Sequence, residues 1–347
     1  MIKEAILKLT RKESPKFSQA KEVFNEIFAH KVSPAQVAAF LTALKMKGEN
    51  EDEIGAAATV IRKKAKKLDI HGKLVEIEDT GETILDTCGT GGSGLNKFNI
   101  STAVAFVVSA AGIRVAKHGN RAMSSSCGSA DVLEELGIKI DVSPSVMKKA
   151  IQKVGIGFLY APLYHPALKE VAKIRREMGI RTIFNVLGPL CNPAHATHQL
   201  LGVYSEELVM VLAKVLKKLG IKKAFVVWSK DLGDEVSLSD KTTVAFLDNK
   251  KISKLKLSPS DFGLKRVSLK KIEAKSVAMS AKMVNDIMNG KEGGPRDIVL
   301  ANAACCLYLA GKARNLKQGV KLGAGLIDQG KVREKVLAFR KFLEKYA

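Results

Sequence analysis

The sequence has few cysteines, no patterned spacing among them and no long apolar run. Its 347 residues include five cysteines, none at a metal-ligand spacing, and Cys305 and Cys306 are adjacent within an apolar helical stretch. Such an odd, unpatterned set argues against a disulfide framework and indicates free thiols in a reducing cytoplasm. No apolar run approaches the roughly 20 residues of a membrane helix, and the first residues, MIKEAILKLTRKE, lack the apolar centre of a secretory signal. We therefore expect a cytoplasmic protein without a membrane partner.

Acidic residues are also scarce relative to basic ones. The chain has 35 aspartates and glutamates against 57 lysines and arginines, which gives a formal net charge of +22. This excess attracts polyanions, either nucleic acid or phosphorylated small molecules. Because the lysines recur singly along predicted helix faces, they favour a solvated surface over a shaped binding groove. Charge alone therefore does not decide the function, and nucleic-acid binding is expected to be weak at most.

The first part of the chain has the pattern of a helical domain. Apolar residues recur at helical spacing over residues 20–28. Ser33 then supplies an N-cap, and Pro34 stands at the first helical position after it. A further helix is predicted from Glu51 to Lys66. The predicted domain covers residues 1–70 and is joined by helices around 170–192.

The rest of the chain alternates between predicted strands and helices. Short apolar runs precede glycine turns and helical stretches follow, which indicates an α/β domain with a largely parallel sheet. Two runs at residues 244–247 and 251–257 have the pattern of an antiparallel hairpin, and the chain is helical from Ser276 onward. The predicted fold is α/β, with a small all-helical domain beside a larger α/β domain (residues 71–347) whose mostly parallel central sheet is flanked by helices. The other strands are predicted at Ile84–Asp86, Ile113–Ala116, Phe158–Tyr160, Leu200–Val203 and Phe225–Trp228.

A glycine-rich loop follows the first predicted strand. Asp86 ends the strand, the sequence TCGTGGSG continues to Gly94, and NIST at residues 99–102 opens an apolar helix. Glycines let backbone N–H groups approach anionic oxygens closely, and a helix N-terminus adds positive potential. No GKS or GKT follows, so this is not a Walker loop, and no acidic residue completes a dinucleotide-binding pattern. The loop predicts a phosphate site of another kind, with a tight strand-to-helix turn as the alternative.

Polar residues also follow the next predicted strand. The sequence KHGNR at residues 117–121 comes directly after it, and SSSCGSAD at residues 124–131 leads into a helix. Cationic and hydrogen-bonding groups at a strand's carboxyl end lie where α/β folds bind ligands. Either segment alone could be a solvated loop, but two such segments at successive strand ends favour a binding site.

Two further segments carry charge that suits an anionic ligand or a metal. Asp234 and Glu235 are adjacent carboxylates in a loop, an arrangement that suits Mg²⁺ shared with substrate phosphates. Arg175 and two neighbouring arginines lie between His165 and the sequence FNVLGPLCNP. Arginine can bind a carboxylate through two parallel hydrogen bonds. Taken alone, each of these segments could equally be surface charge.

These segments together, and in this order, resemble anthranilate phosphoribosyltransferase. The combination GTGG, NIST, KHGNR, SSxxGSAD, GIRTxFNxLGPLxNP and GDE is specific, and the likeness runs nearly from end to end. The resemblance implies a nucleoside-phosphorylase-type fold, a homodimer joined through the helical domains, and Mg²⁺ as the cofactor. The implied reaction moves phosphoribose from 5-phosphoribosyl-1-pyrophosphate (PRPP) to the amine of anthranilate in tryptophan biosynthesis, giving N-(5-phosphoribosyl)anthranilate and pyrophosphate.

The resemblance also implies a role for each motif residue. Lys117 would stabilise charge on the leaving group, and no residue is assigned as a general acid or base, since a neutral aromatic amine needs positioning more than activation. The residues implied for magnesium are Ser101, Asp234 and Glu235. The residues implied for anthranilate are Gly89, His118, Asn120, His165, Arg175 and Pro189. The residues implied for the PRPP donor are Gly89, Thr90, Gly91, Gly92, Ser93, Asn99, Ser101, Thr102, Lys117, Asn120 and Ser129.

One position departs from the family pattern. Many relatives carry aspartate where this chain has Ser93, which leaves open a donor contact or an indirect metal contact there. The serine removes a negative charge beside the pyrophosphate and keeps a hydrogen-bonding group. The backbone amides of the loop are expected to bind the donor regardless of this side chain.

Two other functions remain open at this stage. A non-catalytic nucleic-acid-binding relative of the same fold would explain the charge of +22. It would have no use, however, for Lys117, Arg175 and the two adjacent carboxylates together. A pyrimidine nucleoside phosphorylase shares the fold and binds phosphate at a similar glycine loop, but the KHGNR and GIRTIFNVLGPL segments resemble the transferase.

Overall fold

The computed structural model describes residues 1–66, 68, 82–92, 94–122 and 127–346, and a seven-stranded sheet lies at its centre. The strands are β1 (Ile84–Gly89), β2 (Arg114–Gly119), β3 (Ile156–Tyr160), β4 (His198–Gly202), β5 (Lys223–Ser229), β6 (Thr242–Asp248) and β7 (Lys251–Leu257). Their order in space is β3-β2-β1-β4-β5-β6-β7. The first five strands are parallel, and the β6–β7 hairpin is added antiparallel at one edge. The predicted α/β class and the predicted hairpin are therefore confirmed.

Helices precede the sheet, cover it and end the chain. None of the helices in the described ranges has the length and apolarity to span a membrane. Short 3-10 helices lie at Gly188–Leu190, Pro259–Phe262 and Leu269–Ile272. The α-helices are α1 (Ile2–Thr10), α2 (Phe17–Phe28), α3 (Pro34–Lys47), α4 (Glu51–Lys64), α5 (Ile100–Ala110), α6 (Ser129–Glu135), α7 (Pro144–Lys153), α8 (Ala161–Tyr164), α9 (Leu168–Met178), α10 (Phe184–Leu187), α11 (Glu207–Lys218), α12 (Val277–Met288), α13 (Gly294–Leu309), α14 (Leu316–Asp328) and α15 (Lys331–Tyr346).

The N-terminal helices begin and end where their capping residues predict. The Ser33 hydroxyl accepts a hydrogen bond from the Gln36 amide, and the Gln36 side chain accepts one from the Ser33 amide, so both satisfy donors at the start of α3. Gly48 ends α3 with a φ of +89°, a backbone conformation that favours glycine. Helix α4 ends at Lys64, two residues before the predicted end.

Two apolar clusters form the core, and they lie on opposite faces of the sheet at β4, β5 and β6. In β5, Phe225 and Val227 belong to the first cluster, which α5 and α13 also enter. Ala224 and Val226, which alternate with them, belong to the second, because successive side chains in a strand point to opposite faces. The second cluster contains most of the buried apolar residues of α1 to α4 together with those of α10 and α11.

The second cluster joins distant parts of the chain. Phe24 of α2 packs edge-on against Phe40 of α3 and against Phe184 of α10, with ring centroids 5.6 and 6.4 Å apart. Val171 of α9 is buried in the same cluster. The helices around 170–192 thus contact the N-terminal helices, while the predicted boundary at residue 70 falls outside the described residues and stays a prediction.

The ends of two predicted strands were placed too early. β1 continues beyond Asp86 to Gly89, because β4 pairs with it as far as Gly89 opposite Gly202. β2 begins at Arg114 and continues beyond Ala116 to Gly119, since β3 pairs with it along that length. The first residues of the predicted glycine loop and of the KHGNR motif therefore belong to strands, and their side chains have fixed directions.

Candidate active site

The site begins where β1 and β2 diverge. The two strands pair at Ile84 with Arg114 and at Leu85 with Val115, and they are not paired beyond these residues. The Asn192 amide group fills the gap by donating to the Asp86 carboxylate at 2.8 Å and to the Ala116 carbonyl at 2.7 Å. Side chains from other elements thus satisfy the backbone and carboxylate groups that the divergence exposes.

Asp86 is a fully buried carboxylate at this divergence. Besides the bond from Asn192, it accepts one from the His118 amide at 3.1 Å. Burial raises the pKa of Asp86, although Asn192 and the charge of Lys117 act in the opposite direction. Asp86 therefore places negative charge directly beside the KHGNR segment.

Lys117 is the buried cation of the site. Its side chain lies 3% exposed in β2, and its ammonium donates to the Thr87 carbonyl at 2.6 Å and to the Ser101 hydroxyl at 2.9 Å. Burial lowers the pKa of Lys117, while the charge of Asp86 raises it. Positive charge is therefore held behind the first turn of α5, where the predicted NIST motif begins.

Asn99 organises the start of α5. Its side-chain oxygen accepts from the Thr102 amide at 3.1 Å and from the Thr102 hydroxyl at 2.7 Å, and the Ser101 hydroxyl lies 3.4 Å from it. Asn99 is therefore an N-cap as well as a motif residue. Thr102 is buried with its hydroxyl on Asn99, so its position suits holding the cap, whereas Ser101 is partly exposed beside Lys117.

The glycine loop packs against the acidic loop that follows β5. The Gly91 amide donates to the Asp234 carboxylate at 3.1 Å. A Cβ on Gly89 would overlap the same carboxylate, which explains why a side chain is absent there. Thr90 is fixed from the other side, because its hydroxyl accepts from the Tyr204 amide at 3.1 Å. Ser93 lies outside the described residues, as do residues 123–126 of the second polar motif.

Asp234 and Glu235 are adjacent but differ in their surroundings. Lys97 donates to Asp234 at 2.6 Å. Burial would raise the pKa of Asp234, but the charge and hydrogen bond of Lys97, with the Gly91 amide, lower it. Burial raises the pKa of Glu235 to about 7, to which neighbouring Asp234 adds. Within the described ranges, no group of three or more histidines, cysteines, aspartates and glutamates could hold a metal ion.

Two histidines, His118 of β2 and His165 after α8, lie next to each other. His118 Nδ1 lies 3.0 Å from the Gly188 carbonyl, and His118 Nε2 lies 3.2 Å from His165 Nε2. Because a carbonyl only accepts, His118 donates from Nδ1 and its Nε2 accepts from His165. Burial lowers the pKa of His118 to about 3 and that of His165 to about 4. Both rings are therefore neutral at pH 7.

Arg175 is half-buried on α9. Its guanidinium lies 5.4 Å from the centre of the Phe184 ring, and burial lowers its pKa. Among the described residues no carboxylate forms an ion pair with it. Pro189 is buried in the 3-10 turn beyond Phe184, and its carbonyl accepts from the Gln199 side chain at 2.7 Å.

Asn120 and Ser129 lie at the more exposed end of β2. The Asn120 carbonyl accepts from the Ala130 amide at 3.2 Å and from the Ser129 hydroxyl at 3.4 Å. This places the end of β2 on the first turn of α6. Arg121 next to it bonds to Glu134 and so neutralises part of this surface.

The structure brings most of the predicted residues together at one edge of the sheet. The glycine loop is bonded to Asp234 and Ser101 to Lys117, and His118 follows Lys117 in β2. Arg175 is linked to this group through Phe184 and the turn that holds Pro189, not by a direct contact. Sequence reasoning did not identify Asp86, Lys97, Arg181, Asn192 or Gln199 as site residues.

Arg181 and Asn192 lie inside the GIRTxFNxLGPLxNP motif, and this motif is the sequence signal that could have identified them as site residues. Arg181 donates to the Gly92 carbonyl at 2.6 Å and stacks 4.9 Å from the centre of the Tyr204 ring. It therefore joins the segment before α10 to the glycine loop. No spacing in the sequence pointed to Lys97, because its partner lies 137 positions away.

Comparison with known proteins gives a consistent result. Residues 3–65 match the family model described as glycosyl transferase family, helical bundle domain, and residues 81–333 match glycosyl transferase family, a/b domain. The anthranilate phosphoribosyltransferase of Geobacter sp. (strain M21) is 49% identical over 335 residues, 95% of each chain. Among solved structures, anthranilate phosphoribosyltransferase from Thermus thermophilus is 36% identical with a TM-score of 0.89, over 98% of this chain and 99% of that one. The Saccharomyces cerevisiae enzyme in complex with PRPP and Mg is 29% identical with a TM-score of 0.88, over 99% and 98%.

Proposed function

The chain belongs to the anthranilate phosphoribosyltransferase family, and we propose how its residues divide the steps of the reaction. The protein transfers the phosphoribosyl group of PRPP to the amine of anthranilate, giving N-(5-phosphoribosyl)anthranilate and pyrophosphate. The arrangement of two contacts at the carboxyl ends of the strands supports this division of roles. Lys117 is hydrogen-bonded to the first turn of α5, and the glycine loop to the acidic loop, at one edge of the sheet.

The donor side of the site stabilises the leaving pyrophosphate. The bond from ribose C1 to the pyrophosphate oxygen breaks, so negative charge grows on pyrophosphate while the sugar becomes cationic. The buried ammonium of Lys117 and the amides of the glycine loop offer fixed positive potential without reorganisation. Ser101 and Asn99 add hydrogen-bonding groups at the start of α5.

The remaining donor contacts are proposed for two places, the glycine loop and the end of β2. The backbone at Gly89, Thr90, Gly91 and Gly92 lines the loop side. Thr102 supports the cap that Asn99 forms. The donor's phosphoribosyl part is assigned to the end of β2, where Asn120 and Ser129 lie. The donor contact of Ser93 stays a prediction, since this residue lies outside the described ones.

Magnesium fits the chemistry of the acidic loop. Glu235 is a carboxylate whose pKa burial raises to about 7, so an added cation would favour its charged form. Asp234 and Glu235, with the Ser101 hydroxyl and donor phosphate oxygens, would supply the oxygen ligands that Mg²⁺ prefers. The ion would add positive charge beside the pyrophosphate when the donor is bound. The related yeast enzyme has been solved with PRPP and Mg.

The acceptor side is proposed to position anthranilate. Arg175, supported on the Phe184 ring and lacking a carboxylate partner among the described residues, suits the anthranilate carboxylate. The neutral pair of His118 and His165 and the buried Pro189 offer a wall without net charge. Gly89 and Asn120 complete the assigned set.

No strong base is required by this arrangement. The amine attacks as a neutral group, and the anilinium-type nitrogen formed on bond formation is acidic enough to lose its proton to water or to pyrophosphate. The two histidines are held by their hydrogen bonds to Gly188 and to each other, which suits positioning. Geometry then provides most of the rate gain on the acceptor side.

We also propose that the protein forms a homodimer and that it is located in the cytoplasm. Leu7 on α1 and Met46 on α3 are 53% and 81% exposed apolar side chains, and they support self-association through the helical domain. Replacing both with lysine is expected to convert a dimer to a monomer in sedimentation analysis. Buried thiols at Cys191, Cys305 and Cys306 support a reducing, cytoplasmic environment.

The test of the proposed roles is an anthranilate fluorescence assay. Incubation with PRPP and Mg²⁺ should abolish the anthranilate signal, and the D234A/E235A double variant should lose most of the turnover. Unchanged turnover in a folded double variant would remove both carboxylates from the mechanism. Turnover of thymidine with phosphate in place of anthranilate would indicate the phosphorylase reaction.

A second candidate function has one observation in its favour, the net charge of +22. We expect binding of duplex DNA to be weak and to fall steeply with salt, since diffuse lysines neutralise phosphates without reading bases. Tight binding that persists at high salt, measured by fluorescence anisotropy, would favour a nucleic-acid-binding role beside the catalytic one.

A further inference from the structure

Lys97 makes a close charged contact with the acidic loop. Its ammonium lies 2.6 Å from Asp234 Oδ1 and also donates to the Leu232 carbonyl at 3.1 Å. The two side chains are 14% and 8% exposed, so water screens this ion pair little. The other oxygen, Asp234 Oδ2, accepts from the Gly91 amide at 3.1 Å. Both oxygens of Asp234 therefore have partners from the protein.

The backbone around Lys97 is fixed, which directs its side chain into the acidic loop. Lys97 forms an isolated antiparallel bridge with Glu273. The Phe98 amide donates to the Ile272 carbonyl at 3.0 Å, and the Ala274 amide donates to the Asn96 carbonyl at 3.0 Å. This short pairing anchors the chain between the glycine loop and α5. The contact with Asp234 is thus a built feature and not an exposed lysine that happens to lie nearby.

The other charged side chains of the site have different partners and do not bond to Asp234. Lys117 donates to the Thr87 carbonyl and to Ser101, and Asp86 is bonded to Asn192 and to the His118 amide. Lys97 is therefore the cation in direct contact with the acidic loop among the described residues. An ammonium at 2.6 Å from Asp234 Oδ1 occupies the space a metal ion would need at that oxygen and repels it.

We propose that Lys97 is a resident counter-cation that holds Asp234 before the substrates bind and competes with magnesium for this carboxylate. The inference rests on the proposed role of Asp234 as a magnesium ligand. Magnesium alone must displace Lys97 and therefore binds weakly. When the anionic donor is present, the displaced ammonium gains a phosphate partner beside the glycine loop. Metal and donor binding then favour each other, which is a coupling between two sites.

The test is magnesium binding to the complete protein without PRPP. K97M removes the charge and keeps most of the side-chain length, while K97R keeps the charge. K97M is expected to bind Mg²⁺ at least about tenfold more tightly by titration calorimetry, because a like charge a few ångströms away is gone. Its thermal midpoint should rise more with added Mg²⁺ than that of the wild type. K97R, and K256M on the exposed strand β7, should behave like the wild type.

Further variants separate this inference from the proposed function. When D234N is combined with K97M, the gain in Mg²⁺ affinity that K97M produces alone should disappear. If D234N leaves Mg²⁺ binding unchanged when PRPP is present, where Lys97 no longer competes for the carboxylate, the metal role of Asp234 is wrong. If D234N weakens binding but K97M binds Mg²⁺ no more tightly than the wild type, the competition by Lys97 is overturned while the metal role stands. K97Q replaces K97M in every comparison if circular dichroism shows that K97M does not fold.

Discussion

Arg175 is a charged side chain that rests on an aromatic ring and has no carboxylate partner among the described residues. Its proposed partner is the carboxylate of anthranilate. We expect R175A to raise the KM for anthranilate by roughly 10- to 150-fold, the range that corresponds to about 1.5–3 kcal/mol for a hydrogen bond to a charged group. The KM for PRPP should change little. Steady-state kinetics with each substrate varied in turn measures both effects.

The matched control is the next residue, Arg176, which is exposed on the same helix. R176A should leave both Michaelis constants near those of the wild type. Equal effects of R175A and R176A would indicate a general loss of positive potential near the cleft. An unchanged KM for anthranilate in R175A would show that the carboxylate binds elsewhere.

The buried histidines predict a pH effect on stability. Burial lowers the pKa of folded His165 to about 4, whereas a histidine in an unfolded chain titrates near 6.5. Between these values the unfolded state binds a proton that the folded state excludes, so the free energy of unfolding falls as the pH drops from about 6.5 to about 4. H165Q should remove on the order of 2 kcal/mol of that fall.

Urea unfolding at pH 7 and at pH 4.5 measures this difference. H30N, at the exposed turn after α2, is the control and should keep the pH dependence of the wild type. At pH 7 the contribution of proton uptake is small, so a loss of stability in H165Q there reports packing and the hydrogen bond to His118. An identical pH dependence in H165Q and the wild type would mean that His165 is accessible to protons in the folded state.

Single residues of the site were predictable from sequence where a motif contained them. Lys117, Asp234 and Arg175 belong to sequence motifs, whereas the pattern around Asp86 indicates only the end of an apolar strand. Partners were not predictable, because Asn192 reaches Asp86 across 106 positions and Lys97 reaches Asp234 across 137. Charge neutralisation inside a site depends on which strands lie side by side, and that is set by the fold.

At the scale of elements, the end of β4 controls where the acidic loop lies. A Cβ on Gly202 would overlap the Asp234 carbonyl oxygen, so the loop backbone crosses directly over this glycine. G202A must push the loop away, and overpacking of this kind typically costs about 1–3 kcal/mol. We expect G202A to lower the free energy of unfolding by that amount and to reduce turnover, because Asp234 moves from the glycine loop.

Thermal unfolding and the fluorescence assay together test this prediction. G325A, within helix α14, is the control, because its Cβ would meet nothing closer than 4.0 Å. Alanine in a helix interior should stabilise the protein by about 0.5–1 kcal/mol relative to glycine. If G202A is as stable and as active as the wild type, the loop crosses β4 more loosely than this overlap indicates.

The elements themselves could be predicted well from their periodicity, but their ends could not. Hydrophobic runs and glycine turns indicated the parallel strands and the hairpin. The added residues of β1, from Thr87 to Gly89, carry a threonine, a cysteine and a glycine, so no apolar signal marks them. Pairing with β4 on one side extends the strand, and such pairing is a tertiary effect that overrides local preference.

At the scale of the whole molecule, the two-part pattern of helices and α/β units was predictable, but the way they share a core was not. The second apolar cluster includes residues of α2 and of α11, which are far apart in the chain. Arg62 at the end of α4 adds a polar connection there. It donates to the Leu190 carbonyl at 2.6 Å and to the Leu219 carbonyl at 3.2 Å.

These two carbonyls end the turn that holds Pro189 and the helix α11, so Arg62 fixes the N-terminal helices to both. Burial lowers the pKa of Arg62, and removing its side chain leaves both carbonyls without this donor. R62A is expected to lower the free energy of unfolding by about 2–6 kcal/mol, since each of the two abandoned partners costs roughly 1–3 kcal/mol. K63A, at the exposed neighbouring position, should stay within about 0.5 kcal/mol of the wild type.

Urea unfolding of the wild type, R62A and K63A measures these differences. If R62A loses no more stability than K63A, water replaces Arg62 at both carbonyls. Apolar packing alone would then join the N-terminal helices to the α/β part.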